Sequence, residues 1–217
     1  MARRITMDEK IPALSAANLK RGMREFLARG WPADFHAEFY GDLPDPRRGG
    51  FTAKWWDETV AVLSEWNTLR PYGGEFVRKR GRKHLGELSR EYQRLLAREK
   101  KPDLESCDWR AVLGLFKIAH KIKGVPSPVF AAKLCHFISP PAFPVFDVAA
   151  LELVNDPTEA DYREYREVCR NRWRECGDKK ALKQILLAKI LRADKKAKTA
   201  KYPWPTKIAE LCAIGRP

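Results

Sequence analysis

Residues 121–154, KIKGVPSPVFAAKLCHFISPPAFPVFDVAALELV, hold the pattern from which the rest of the chain can be read. Gly124-Val125-Pro126 forms a tight turn, and Ser127-Pro128 is a strong helix-start pair. A Ser at the N-cap accepts from a first-turn N–H that has no other partner, and Pro at the first helical position forfeits no bond the helix needs. Phe130, Leu134, Phe137 and Ile138 then recur at helical spacing. Ser139-Pro140-Pro141 stops that helix, because Pro supplies no N–H to continue it. The short extended run Pro144-Val145-Phe146 delivers Asp147 to the start of a further helix, VAALELV. One acidic side chain is thus placed at a helix N-terminus a few residues after a helical hairpin. Such an arrangement can hold a DNA backbone and do chemistry beside it.

Outward from this stretch the pattern stays helical. Ser15 caps a helix with Leu19, Met23, Phe26 and Leu27 on its apolar face, closed by Gly30-Trp31-Pro32. A second helix covers Thr52 to Asn67, and a third carries Leu85, Leu88, Tyr92, Leu95 and Leu96 before Pro102. Asp108 opens a fourth with Trp109, Val112, Phe116 and Ala119 on one side. Thr158 and Asp161 have the spacing of a capping box after the Asn155-Asp156-Pro157 turn. Leu182, Ile185, Leu186 and Ile190 make a sixth stripe, and a short helix follows Pro205. No segment sustains apolar–polar alternation, so the expected fold is all-α, in two helical lobes. A boundary near Lys101–Cys107 would divide an N-terminal region, 1–103, from a region 104–217 that holds the hairpin.

The charge balance points to a polyanionic partner. The 217 residues carry 42 Lys and Arg against 28 Asp and Glu, a formal charge of +14. Each phosphate neutralised by such a chain releases condensed counterions, so nucleic acid is the first partner to expect, ahead of acidic membranes or proteins. Basic residues concentrate at Arg78, Lys79, Arg80, Arg82 and Lys83, just after the Arg70–Gly74 turn, and again from Arg192 to Lys201. The second run is equally a solvated helix face. The N-terminus lacks the apolar core of a signal peptide, and no apolar run is long enough to span a bilayer. Five scattered cysteines read as reduced thiols, and the expected location is the cytoplasm.

Gly124, Val125, Ala131 and Asp147 together carry a resemblance to the helix-hairpin-helix DNA glycosylase superfamily. In that family a Gly-apolar-Gly turn opens a helix with a small residue, and an Asp follows after a loop, often beside a Pro. The resemblance covers about residues 118–154. Two departures stand out: Pro126-Ser127 replaces the second Gly of the turn, and Val129 occupies the place of the Lys that is the nucleophile in strand-cutting members. The resemblance therefore implies a monofunctional glycosylase that removes a base and leaves an abasic site. Gly124, Val125 and Ser127 would meet the DNA backbone, with Arg78, Lys79, Arg80, Arg82 and Lys83 as further contacts.

The chemistry fits an Asp. Cleaving an N-glycosidic bond builds oxocarbenium-like charge on the sugar, which a fixed carboxylate stabilises while it orients the attacking water. The structural alternative is that Asp147 only caps its helix, as Ser127 does its own. Lys133 lies one turn beyond Val129 on the same face; its ordinary role is a surface or phosphate-binding charge, with attack on the sugar as the minor alternative. A base extruded from the stack needs aromatic or apolar walls. Trp55, Trp56 and Trp109 are the pocket candidates, with Trp66 and Tyr72 beside them, although helical spacing makes each a core residue by default.

No cofactor or metal is expected. Cys169 and Cys176 have the first spacing of the four-Cys cluster of some members, but the remaining closely spaced pair is missing. His36, His84, His120 and His136 form no local ligand pair. The expected partner is double-stranded DNA, bound by a monomer, with a damaged or modified base flipped out; a hypermodified base in invading phage DNA is one such target. DNA repair or antiviral defence would be the setting. The alternatives are a non-catalytic helix-hairpin-helix nucleic-acid binder and a helical adaptor for an acidic protein.

Overall fold

Caps encoded in the sequence set the ends of most elements. The computed structural model describes residues 6–30, 37, 40, 50–66, 68–70, 72–153 and 156–216. Among them the regular structure is helical throughout: α1 (Met7–Lys10), α2 (Ala16–Ala28), α3 (Ala53–Glu65), α4 (Gly73–Arg98), α5 (Trp109–Lys123), α6 (Pro128–Ile138), α7 (Val148–Leu151), α8 (Glu159–Glu175), α9 (Lys179–Ala193) and α10 (Trp204–Ile214). The chain is all-α. Side chains of Ser15, Thr52, Asp108, Ser127 and Asp147 each accept from the N–H three residues on. Thr158 and Asp161 form the expected capping box, and Thr6 and Glu9 form another.

Two helices differ in length from expectation. The third begins at Gly73, so the basic segment 78–83 lies inside a long helix rather than on a loop flank. VAALELV yields only the four residues of α7, because Glu152 turns left-handed (φ 49°). So short a helix cannot hold itself together. Its last carbonyls are instead gathered by cations: Arg29 donates to Ala149, Arg216 to Ala150, and Lys10 to both Leu151 and Glu152.

The core is one contiguous cluster running through both halves, with Phe26, Trp56, Leu88, Phe116, Phe130, Tyr162, Leu186 and Ile208 among its members. The expected division near 101–107 falls in the connection between α4 and α5, which pack against each other, and α2 packs against α10. The last contact is backbone to backbone. A Cβ on Gly22 would lie 1.7 Å from the Leu211 carbonyl oxygen. Gly22→Ala is therefore expected to force α2 and α10 apart and cost about 3 kcal/mol, the upper range for overpacking. Urea denaturation measures it, and a loss below about 0.5 kcal/mol would mean that the crossing is adaptable.

The hairpin forms as the caps require. Gly124 closes α5 in the left-handed region (φ 81°), a conformation that costs glycine nothing, and Ser127 opens α6. The run after α6 pairs with no strand, yet its carbonyls are satisfied. Arg166 donates to Ala142, Tyr162 to Pro144 and Tyr165 to Val145, all from α8. Helix α8 thus fixes the path by which the chain reaches Asp147.

Candidate active site

Asp147 is held at both oxygens. Its Oδ1 accepts from the Ala150 N–H at 3.0 Å, which is the capping bond. Its Oδ2 accepts from Lys133 Nζ at 3.2 Å. The cap and the ion pair are therefore made by the same residue, using different atoms. About a quarter of the Asp147 side chain reaches solvent (28 %), so a ligand has access to it. With only one turn of helix behind it, the macrodipole contributes little.

Lys133 is not the surface charge expected from sequence. It is 6 % exposed, and its ammonium also reaches the Trp66 carbonyl at 3.4 Å and lies 5.8 Å from the Trp66 ring centroid. Its amine meets Asp147, which the loop after α6 brings round. Trp66 also packs edge-on against Phe137, so α6 presents Lys133 against a fixed aromatic wall.

A second buried charge pair stands behind the first. Lys207 and Glu210, one turn apart on α10, meet at 2.9 Å, with Lys207 fully buried and 5.1 Å from the Phe26 ring. Burial pushes the Glu210 carboxyl above its ordinary value; Lys207 pulls it back, and the Asp147 charge pushes it up again. Neither residue was singled out from sequence. The available signal was a Lys and a Glu three apart on an otherwise apolar helix face.

His136 on α6 is fully buried between the Tyr40 hydroxyl (2.6 Å at Nε2) and the Phe143 carbonyl (2.6 Å at Nδ1). The carbonyl can only accept, so Nδ1 carries the proton and Nε2 accepts from tyrosine. Burial drives the imidazole pKa down to about 3, and nearby Lys207 acts the same way. The unfolded chain therefore binds a proton between about pH 6.5 and 3 that the folded chain refuses. Stability should fall as pH drops through that window, by up to about 1.4 kcal/mol per unit from this residue alone. Chemical denaturation at pH 7, 6 and 5 should give a shallower slope for His136→Gln than for wild type. Equal slopes would contradict this assignment.

The hairpin residues lie at the surface as a turn should: Gly124 is exposed, and Val125 and Ser127 are partly exposed. Beneath them Lys123 is buried, donating to the Thr68 carbonyl at 2.7 Å, and burial lowers its ammonium to about 8. The basic segment is divided in use. Arg78 and Arg82 both pair with Asp57 of α3, and Arg80 donates to the carbonyls of Lys121 and Ile122 at the end of α5. Lys79 and Lys83 are exposed, as are Arg192, Lys195, Lys196, Lys198 and Lys201 of the second run.

The three proposed pocket tryptophans pack in or against the core. Trp55 and Trp56 are core residues, the latter donating to the Arg78 carbonyl, and Trp109 packs edge-on against Phe116 and Tyr162. This packing agrees with their helical spacing, and Trp109 is only partly buried. Trp66 is the tryptophan beside Lys133. His36 lies outside the described residues. Among those described, no group of three His, Cys, Asp or Glu side chains is placed to hold a metal ion. The five cysteines are free thiols, and no described helix is long and apolar enough to cross a membrane. No protein-family model matches the chain, and neither the curated proteins nor the solved structures provide a match.

Proposed function

We propose that the chain is a DNA N-glycosylase acting on a damaged or modified base, with Asp147 opposing the positive charge that develops on the sugar. The observation that carries this reading is the Asp147–Lys133 contact: a carboxylate oriented through both oxygens, part-open to solvent, one loop beyond a helical hairpin. Because its two oxygens are already held, the carboxylate needs little reorganisation when the glycosidic bond stretches. Water attacks the anomeric carbon, the base departs with the bonding pair, and Asp147 accepts the water's proton. The surface turn 124–127 and the exposed Lys79 and Lys83 supply backbone contacts to duplex DNA. The enzyme works as a cytoplasmic monomer without a cofactor.

The test is incubation with duplexes carrying a range of modified bases, followed by detection of abasic sites. Salt-sensitive DNA binding without release from any substrate would favour the non-catalytic binder instead.

Lys133 supports a second reading, because a buried amine beside a carboxylate has a proton acceptor at hand. Transfer of the ammonium proton to Asp147 would free the lone pair to attack the anomeric carbon and expel the base with its bonding pair; loss of a proton from the new secondary amine to the departing base and protonation and cleavage of the C1′–O4′ ring bond would then give an imine that permits strand cleavage. Borohydride reduction during turnover distinguishes the two. The monofunctional reading expects no covalent protein–DNA adduct; a Lys133-dependent adduct would replace it with the strand-cutting one.

A further inference from the structure

Tyr72 and Phe76 are two of the three large hydrophobic side chains exposed among the described residues, at 43 % and 40 %. They are not scattered. Their rings stack on each other with centroids 4.7 Å apart and planes 26° apart. Tyr72 occupies the N-cap position of α4 without a side-chain capping bond, and Gly73 beside it takes a left-handed conformation (φ 73°). The stack stands in a cationic setting: Arg80 lies 5.6 Å from the Phe76 ring centroid, and Lys79 and Lys83 are exposed along the same helix.

Arg80 also ties the stack to the hairpin. Its guanidinium donates to the Lys121 and Ile122 carbonyls, and a Cβ on Gly124 would lie 3.1 Å from its central carbon. The aromatic pair and the turn 124–127 are thus joined through one side chain. A helix-stabilising aromatic pair alone would explain the stacking, but such a pair has no need of this degree of exposure or of flanking cations.

We propose that Tyr72 and Phe76 form a stacking platform for an unpaired nucleobase of DNA, with Lys79 and Lys83 holding the adjoining phosphates. Aromatic faces accept any base, and lysines supply the salt-dependent part of such binding. The inference rests on the nucleic-acid reading above and adds where a base exposed by strand opening is received.

The experiment uses the full chain and a single-stranded oligonucleotide carrying 2-aminopurine, followed by anisotropy and by quenching of the probe across a salt series. Wild type should bind and quench. Tyr72→Ala with Phe76→Ala should weaken binding about tenfold or more and abolish quenching, with the slope against salt unchanged. Lys79→Ala with Lys83→Ala should instead reduce that slope. Tyr72→Phe should behave as wild type. Tyr72→Leu with Phe76→Leu keeps apolar volume and covers the case in which the alanine variant misfolds by circular dichroism; it too should lose quenching.

Unquenched binding by wild type, equal binding by the aromatic variants, quenching by the RNA form of the oligonucleotide alone, or no binding at all each overturns the platform. The two proposals fail separately. Base release by wild type without quenching of the single-stranded probe leaves the Asp147 reading standing without the platform. Quenching without base release from any duplex leaves the platform and removes the glycosylase.

Discussion

Asp147→Asn is expected to lower base release by about 10²–10⁴-fold, the range for loss of a positioned acid–base group. The amide is nearly isosteric and caps helices as well as the acid does, so the bond from Ala150 N–H to Oδ1 survives. What disappears is the negative charge. The developing sugar cation then meets a neutral dipole, and the water loses its proton acceptor. Loss of the charge also leaves the Lys133 ammonium without its carboxylate, at 6 % exposure and beside the Trp66 carbonyl and ring. That orphaning should cost about 1–3 kcal/mol of stability. Rate and stability must therefore be measured together.

The double variant Asp147→Asn with Lys133→Met separates the effects. Removing the uncompensated ammonium should restore much of the stability, because an apolar chain of similar length suits a buried site. It should restore none of the base release. Wild-type release by Asp147→Asn on any substrate would eliminate the assigned role. Recovery of release in the double variant would show that the single change acted by distorting the site.

The hairpin and its caps were legible because they are local. Ser127-Pro128, Asp108 and the Thr158–Asp161 box each act within one helical turn, and the rule that detects them is the interaction that forms them. The short α7 was not legible, since its length depends on Lys10, Arg29 and Arg216, which arrive from distant parts of the chain. The same holds for Lys133. A lysine on a helix reads as solvated, and only the loop that swings Asp147 within 3.2 Å makes burial of the ammonium tolerable. Arg78, Arg80 and Arg82 show the converse: a basic run counted wholly toward a polyanion is partly occupied by Asp57 and by the end of α5. Composition registers charge but not which charges the fold has already used.

Arg166→Met is expected to destabilise the protein by about 3–5 kcal/mol, the cost of dismantling a buried charged network from one side. Arg166 is fully buried. Its Nε donates to the Ala142 carbonyl at 3.1 Å, one terminal nitrogen donates to the Cys107 carbonyl at 2.8 Å, and the other meets Glu167 at 2.9 Å. Methionine fills the volume of the stem but leaves two buried carbonyls unpaired. At about 2–4 °C per kcal/mol for a chain of this size, the thermal midpoint should fall by roughly 10 °C. Arg166→Lys keeps the charge yet cannot reach both carbonyls from one point, so it should recover only part of the loss. A drop below about 1 kcal/mol in either variant would mean that water or a neighbour replaces the guanidinium. The consequence extends to the site, because Ala142 begins the run that α8 holds and that ends at Asp147. Below its melting temperature Arg166→Met should therefore also release base more slowly than wild type. Tyr165→Phe, which frees the Val145 carbonyl and removes a contact with Cys169, should do so to a smaller degree. That ordering is what distinguishes a loop positioned from behind by α8 from one that merely lies against it.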